Sequence, residues 1–120
     1  MVMLEEIADN DLLYRRIPNV HLYEDDTVKS VAFQVRGKPD DSISVELARL
    51  TTPQESLAFA RNPDTTKVGV LVAGYARSLG FIVRHDPLPD NLAHCLIEGE
   101  NNKVKCKLLA EATTILTLPE

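Results

Sequence analysis

Apolar and polar positions alternate most regularly in four stretches of the chain. Residues 31–35, Val-Ala-Phe-Gln-Val, place Val31, Phe33 and Val35 in one phase, and residues 43–47 do the same with Ile43, Val45 and Leu47 against Ser44 and Glu46. A period of two is the pattern of a half-buried strand. Between them lies turn chemistry, Gly37-Lys38-Pro39-Asp40-Asp41-Ser42, so a hairpin is the simplest connection. Residues 68–72, Val-Gly-Val-Leu-Val, form an apolar run that predicts a strand buried on both faces. Phe81, Val83 and His85 alternate with Ile82 and Arg84, and residues 94–98 complete the set.

Helical spacing predicts the rest. In residues 3–17, Leu4, Ile7, Ala8, Leu12 and Tyr14 recur partly at helical intervals, with Asn10 or Asp11 placed to cap a second short helix before Pro18. Thr52-Pro53-Gln54-Glu55 is a complete capping box, with proline at the first helical position. It predicts a helix over 53–61 that stops before Asn62-Pro63. Residues 73–79 fit a short helix with Gly80 in the left-handed position after it. At the tail, 103–108 alternates like a strand. Val104, Leu108, Ala112 and Ile115 nevertheless follow a helical stripe, so a helix over 102–116 capped by Asn101 is the reading adopted.

These elements define an α+β fold. We expect one globular domain over residues 1–120, with a mixed or antiparallel sheet, short helices and a C-terminal helix. The helix over 73–79 is too short for a usual parallel crossover. The glycines form neither a dinucleotide fingerprint nor a phosphate loop, and no Gly-x-Ser-x-Gly elbow occurs.

Composition narrows the function. The chain has 120 residues, 44% of them hydrophobic, and a net charge of −5. That balance disfavours a nucleic-acid surface, since the nearest basic cluster is only Lys103, Lys105 and Lys107. No apolar run approaches the roughly 18–20 residues that cross a bilayer. The first residues lack a basic segment followed by an apolar one, so no secretory signal is expected. Cys95 and Cys106 are the only cysteines, too few for a disulfide framework. A cytoplasmic protein with two reduced thiols follows.

The chemistry-bearing residues concentrate in Arg-His-Asp-Pro-Leu-Pro-Asp-Asn-Leu-Ala-His-Cys, residues 84–95, which holds two of the three histidines. His85 and His94 can serve as general base and general acid, because histidine titrates near neutral pH. Asp86 or Asp90 would orient one ring, and Asn91 would donate to a developing oxyanion. The competing reading is a rigid turn. Two prolines and three Asx residues fix their own backbone, with Asp86, Asp90 and Asn91 bonding nearby main-chain amides. A zinc site built on His85, His94, Cys95 and Cys106 matches no compact module, and adjacent His94 and Cys95 on a strand point to opposite faces. No cofactor and no metal are expected. His21, between Val20 and Leu22, reads as a local surface or packing residue.

The ordered blocks LTTPQESLA, ARSLGFIV and HDPLPDNLAHCLIEG, over roughly residues 50–99, resemble a group of small bacterial proteins of uncharacterised function. The resemblance implies a bacterial cytosolic protein and carries no reaction. Two functions from different classes are therefore expected. The first is a protein-binding or accessory module of the immunity, antitoxin or complex-subunit type, with another protein as partner and room for homo-oligomerisation. The alternative is a small hydrolase using His85 and His94.

Overall fold

The computed structural model describes residues 3–34 and 42–117. Its centre is one six-stranded antiparallel sheet, built from β1 (Leu12–Pro18), β2 (Ile43–Leu47), β3 (Thr66–Val72), β4 (Ile82–His85), β5 (His94–Glu98) and β6 (Thr114–Ile115). The spatial order is β4-β5-β2-β1-β3-β6. Three helices accompany it: α1 (Pro53–Ala58), α2 (Ala73–Ser78) and α3 (Lys103–Ala112). The α+β class and antiparallel sheet agree with the sequence pattern, and no helix among the described residues is long and apolar enough to cross a membrane.

Register assigns the faces, because side chains directly opposite one another share a face and successive ones alternate. Leu13 pairs with Leu47 and Leu71, Ile43 with Ile97, and Val83 with Ile97. These residues form the inner face with Ile17 and Val45, all buried. The 3-10 turn Ser30–Phe33 and helix α3 close over this face, adding Phe33, Cys106 and Leu109 to the same core. The outer face carries Tyr14, Arg16, Ser44, Glu46, Val70, His94 and Leu96. Helix α1 lies against β1 and β3 on this side and covers Val68.

Several expected elements take another form. Residues 3–17 hold no helix: 3–11 form an irregular strap with a turn at 9–10, and 12–17 belong to β1. The two apolar positions Leu13 and Ile17 each fill the inner face, a demand met as well by a strand as by a helix. Asp11 caps nothing. Its carboxylate accepts from the Ala8 amide at 2.8 Å and its own amide bonds the Ala8 carbonyl, which makes a turn.

The expected strand over 31–35 is a 3-10 turn through Phe33, and Val35 falls outside the described residues. Its carbonyls are claimed by side chains from elsewhere. Arg15 donates twice to the Ala32 carbonyl, at 2.9 and 3.2 Å, and once to that of Ser44 at 2.7 Å. Asn101 Nδ2 donates to the Phe33 carbonyl at 3.1 Å. Among the described residues, no hairpin partner from 31–34 pairs with β2, which pairs with β1 and β5 instead. The Gly37–Asp41 turn lies outside the described residues.

Other differences are smaller. Helix α1 ends at Ala58, three residues before Arg61. Helix α3 spans ten residues, and the expected end of the long helix, Thr114–Ile115, pairs with β3. Its cap is Asn102, whose side chain accepts from the Lys105 amide at 2.9 Å, while Asn101 is occupied with Phe33 and the Asn102 amide. Strand β3 is not buried on both faces throughout, since Val72 is exposed.

Local chemistry holds elsewhere. Thr52 Oγ1 accepts from the Glu55 amide at 3.1 Å. Gly80 adopts φ +96°, a conformation that suits glycine. At Gly74, a Cβ would meet the Asp9 carbonyl at 2.8 Å. The lack of a side chain there lets the strap backbone approach, with the Gly74 amide donating to that carbonyl.

Candidate functional site

The loop 86–93 and the strand ends beside it bring together most of the residues that carry chemistry. Four main-chain bonds shape the loop: Leu88 and Asn91 exchange amide and carbonyl in both directions, the His94 amide donates to Asn91, and the Asp86 amide to His94. The loop is thus a self-bonded turn, as its two prolines predict. Its side chains behave differently from the expectation that they bond nearby amides. Asn91 Nδ2 donates to Glu46 Oε2 at 3.0 Å, and Asp86 Oδ2 lies 3.1 Å from His94 Nδ1. Asp90 is exposed.

The two histidines separate. His85 pairs with Cys95, so it faces inward, while His94 precedes Cys95 and faces outward. The His85 ring is spanned by backbone. The Glu5 amide donates to Nδ1 at 2.9 Å, and Nε2 lies 2.7 Å from the Leu92 carbonyl. An amide donor at one nitrogen and a carbonyl at the other require a neutral ring with its hydrogen on Nε2. His85 thereby pins the strap to the loop and lines a groove of about 550 Å³ beside Glu5, Glu6 and Arg77.

On the outer face His94 stands in a row, Asp86–His94–Glu46–Tyr14, set by successive strand pairs. Its Nδ1 lies 2.9 Å from the Asp86 carbonyl and 3.1 Å from the Asp86 carboxylate, and its Nε2 lies 3.2 Å from Ser44 Oγ. Beside it Glu46 is 1% exposed. Ser56 Oγ from α1 and Asn91 Nδ2 from the loop each donate to its carboxylate, and Arg16 lies at 3.5 Å. Arg16 also donates to the Ser56 carbonyl at 3.2 Å and sits 5.7 Å from the Phe59 ring centre. A buried carboxylate needs this many partners, because an uncompensated one is costly.

Sequence reasoning named His94, Asn91 and Asp86, and the fold brings them to one face. It missed Ser44, Glu46, Ser56 and Arg16. Ser44 and Glu46 occupy the polar phase of β2, which reads as solvent-facing. The polar phase itself was legible, but the lids over it, α1 and the loop, were not.

The same end of the sheet carries apolar side chains. Leu12 begins β1 and pairs with Val72, which ends β3. Leu50 follows β2, and Leu88 and Leu92 lie in the loop between β4 and β5. These five are 37–54% exposed.

The thiols are inert by burial. Cys95 is pushed from 9.0 up to about 12, chiefly by desolvation, and Cys106 is also raised by burial. Both are free. Among the described residues, no group of three or more His, Cys, Asp or Glu side chains is placed to hold a metal. Comparison of the chain with family models, curated proteins and solved structures finds no match.

Proposed function

We propose that the chain is a protein-binding accessory module, of the immunity, antitoxin or complex-subunit type, that docks its partner at the loop end of the sheet. The observation that carries this reading is the set of exposed apolar side chains there: Leu12, Leu50, Val72, Leu88 and Leu92. Single exposed leucines are ordinary on a soluble surface. Five gathered at one end of one sheet are the feature that favours this end as the docking surface. Their backbone is rigid, since Leu88 and Asn91 are doubly bonded and the strands are paired, so docking would cost little ordering entropy.

Charge points to the partner's chemistry. Exposed Glu6 and Asp90 lie toward this end, where the exposed Arg49 is paired with Glu5 and Asp11, and the whole chain is acidic. A basic rim around an apolar centre would be complementary, and the opposite charges would speed encounter. The alternative of a hydrolase working through a His85/His94 pair draws no support from rings on opposite faces.

The test is an affinity capture from the native host with wild type and with a Leu88→Asp/Leu92→Asp variant. A protein retained in stoichiometric amount by wild type and lost by the folded variant is the expected result. Equal recovery by both would reject this docking surface.

A further inference from the structure

The hydrogen bonds of His94 give its ring a definite polarity. Both neighbours of Nδ1, the Asp86 carbonyl at 2.9 Å and the Asp86 carboxylate at 3.1 Å, are acceptors. Nδ1 therefore carries the hydrogen, and in the neutral ring Nε2 presents its lone pair. The group 3.2 Å from Nε2 is the hydroxyl of Ser44, which donates into that lone pair. Serine hydroxyl, imidazole and carboxylate are thus in line, in the order that turns a serine into a nucleophile. His94 is buried, while Ser44 and Asp86 are half-buried and open to the outer face.

We propose that Ser44, His94 and Asp86 form a nucleophilic relay that takes the acyl group of a carboxylic ester. Ser44 Oγ bonds to the carbonyl carbon as its proton passes to His94 Nε2. The ester C–O bond then breaks, and the departing alkoxide oxygen takes that proton from Nε2. Water reverses the sequence: its oxygen bonds to the acyl carbon, its proton goes to Nε2, the Ser44 Oγ–C bond breaks, and Ser44 recovers the proton as the acid leaves. Asp86 is a positioning residue, its carboxylate 3.1 Å from Nδ1 holding the Nδ1–H tautomer. Ser44 and Asp86 are half-buried, so the ester would reach Ser44 from the outer face.

The experiment treats the full chain with a fluorophosphonate probe and reads it by intact mass and peptide mapping. A single adduct on Ser44 is expected, forming at least about 100-fold faster than in His94→Gln, the usual contribution of a general base. Asp86→Asn should slow labelling and alter its dependence on pH, which a merely structural carboxylate would not do. Ser44→Cys provides an independent reading: alkylation of its thiol should be faster with His94 present than in the double variant with His94→Gln, because Cys95 and Cys106 are buried. Folded wild type without an adduct, an adduct on another residue, or equal labelling of folded His94→Gln would each overturn the relay. This outcome is separate from the docking test, which uses Leu88 and Leu92.

Discussion

Asn91 Nδ2 donates to Glu46 Oε2 at 3.0 Å, joining a loop to a central strand across 45 positions of sequence. The bond does two things at once. It gives a carboxylate with 1% exposure one of its donors, and it fixes the loop that carries Leu88 and Leu92 over the outer face. Fold stability and presentation of the proposed docking surface thus share one contact.

Removing that donor should be costly. Asn91→Ala is expected to lose about 1.5–3 kcal/mol in urea unfolding, the usual range for a hydrogen bond to a charged group. Asn91→Asp should lose more at neutral pH, since it sets a second carboxylate against the first. An Asp variant as stable as wild type would show that the two groups do not meet.

Thr52 anchors α1, which in turn delivers Ser56 to Glu46. Thr52→Ala should cost about 0.5–2 kcal/mol, and Thr52→Ser should restore most of it, because a hydroxyl at the cap is what matters. Chemical denaturation of the three proteins decides this. Equal stability of all three would remove the cap from the account.

His85 ties the strap to the loop through two backbone bonds, one from the Glu5 amide and one to the Leu92 carbonyl. His85→Phe fills the space but offers neither. It should lose about 0.5–1.5 kcal/mol per bond, with the Glu5 amide exchanging roughly tenfold faster with solvent. Nitrogen NMR of wild type should show the ring neutral, with its hydrogen on Nε2. A hydrogen on Nδ1 would contradict the Glu5 contact.

Cys95 predicts a pH effect with a defined sign. Burial raises its thiol from 9.0 to about 12, so the folded state holds the proton that the unfolded chain gives up. Between those values the unfolded state binds fewer protons, and stability falls as pH rises. The contribution is complete below about pH 9 and is lost as pH climbs toward 12. Cys95→Ala removes this dependence, so its stability deficit at pH 8 should shrink at pH 10.5. A deficit that stays constant would mean the thiol is not shielded as described. Arg15, lowered to about 10 by burial, acts in the opposite direction, but it is present in both proteins and cancels.

The sequence by itself determined the features that depend on residues within a few positions of one another. The Thr52 cap is a contact between residues three apart. The position after α2 needed glycine, and Gly80 is there. The alternation of Ile43, Val45 and Leu47 predicts β2, and Val83 with its neighbours predicts β4, because a period of two leaves no other surface to bury. The prolines of the loop likewise foretold a rigid turn.

Only the tertiary structure decided what each of these faces. The apolar spacing of residues 3–17 fits a helix as well as a strap and strand, and the choice went to β1 because β2 and β3 offered it partners on both sides. The alternation of 31–35 promised a strand, yet Arg15 and Asn101 reach the carbonyls of that segment from distant parts of the chain. His85 and His94 looked like a pair because they flank one loop. The register that sets His85 opposite Cys95 turns them to opposite faces, and register is a property of two strands together. Glu46 looked like a surface residue until Ser56 and Asn91 closed over it. Local signals fix conformation through neighbouring backbone, whereas burial and side-chain partnership come from segments whose approach no short stretch of sequence encodes.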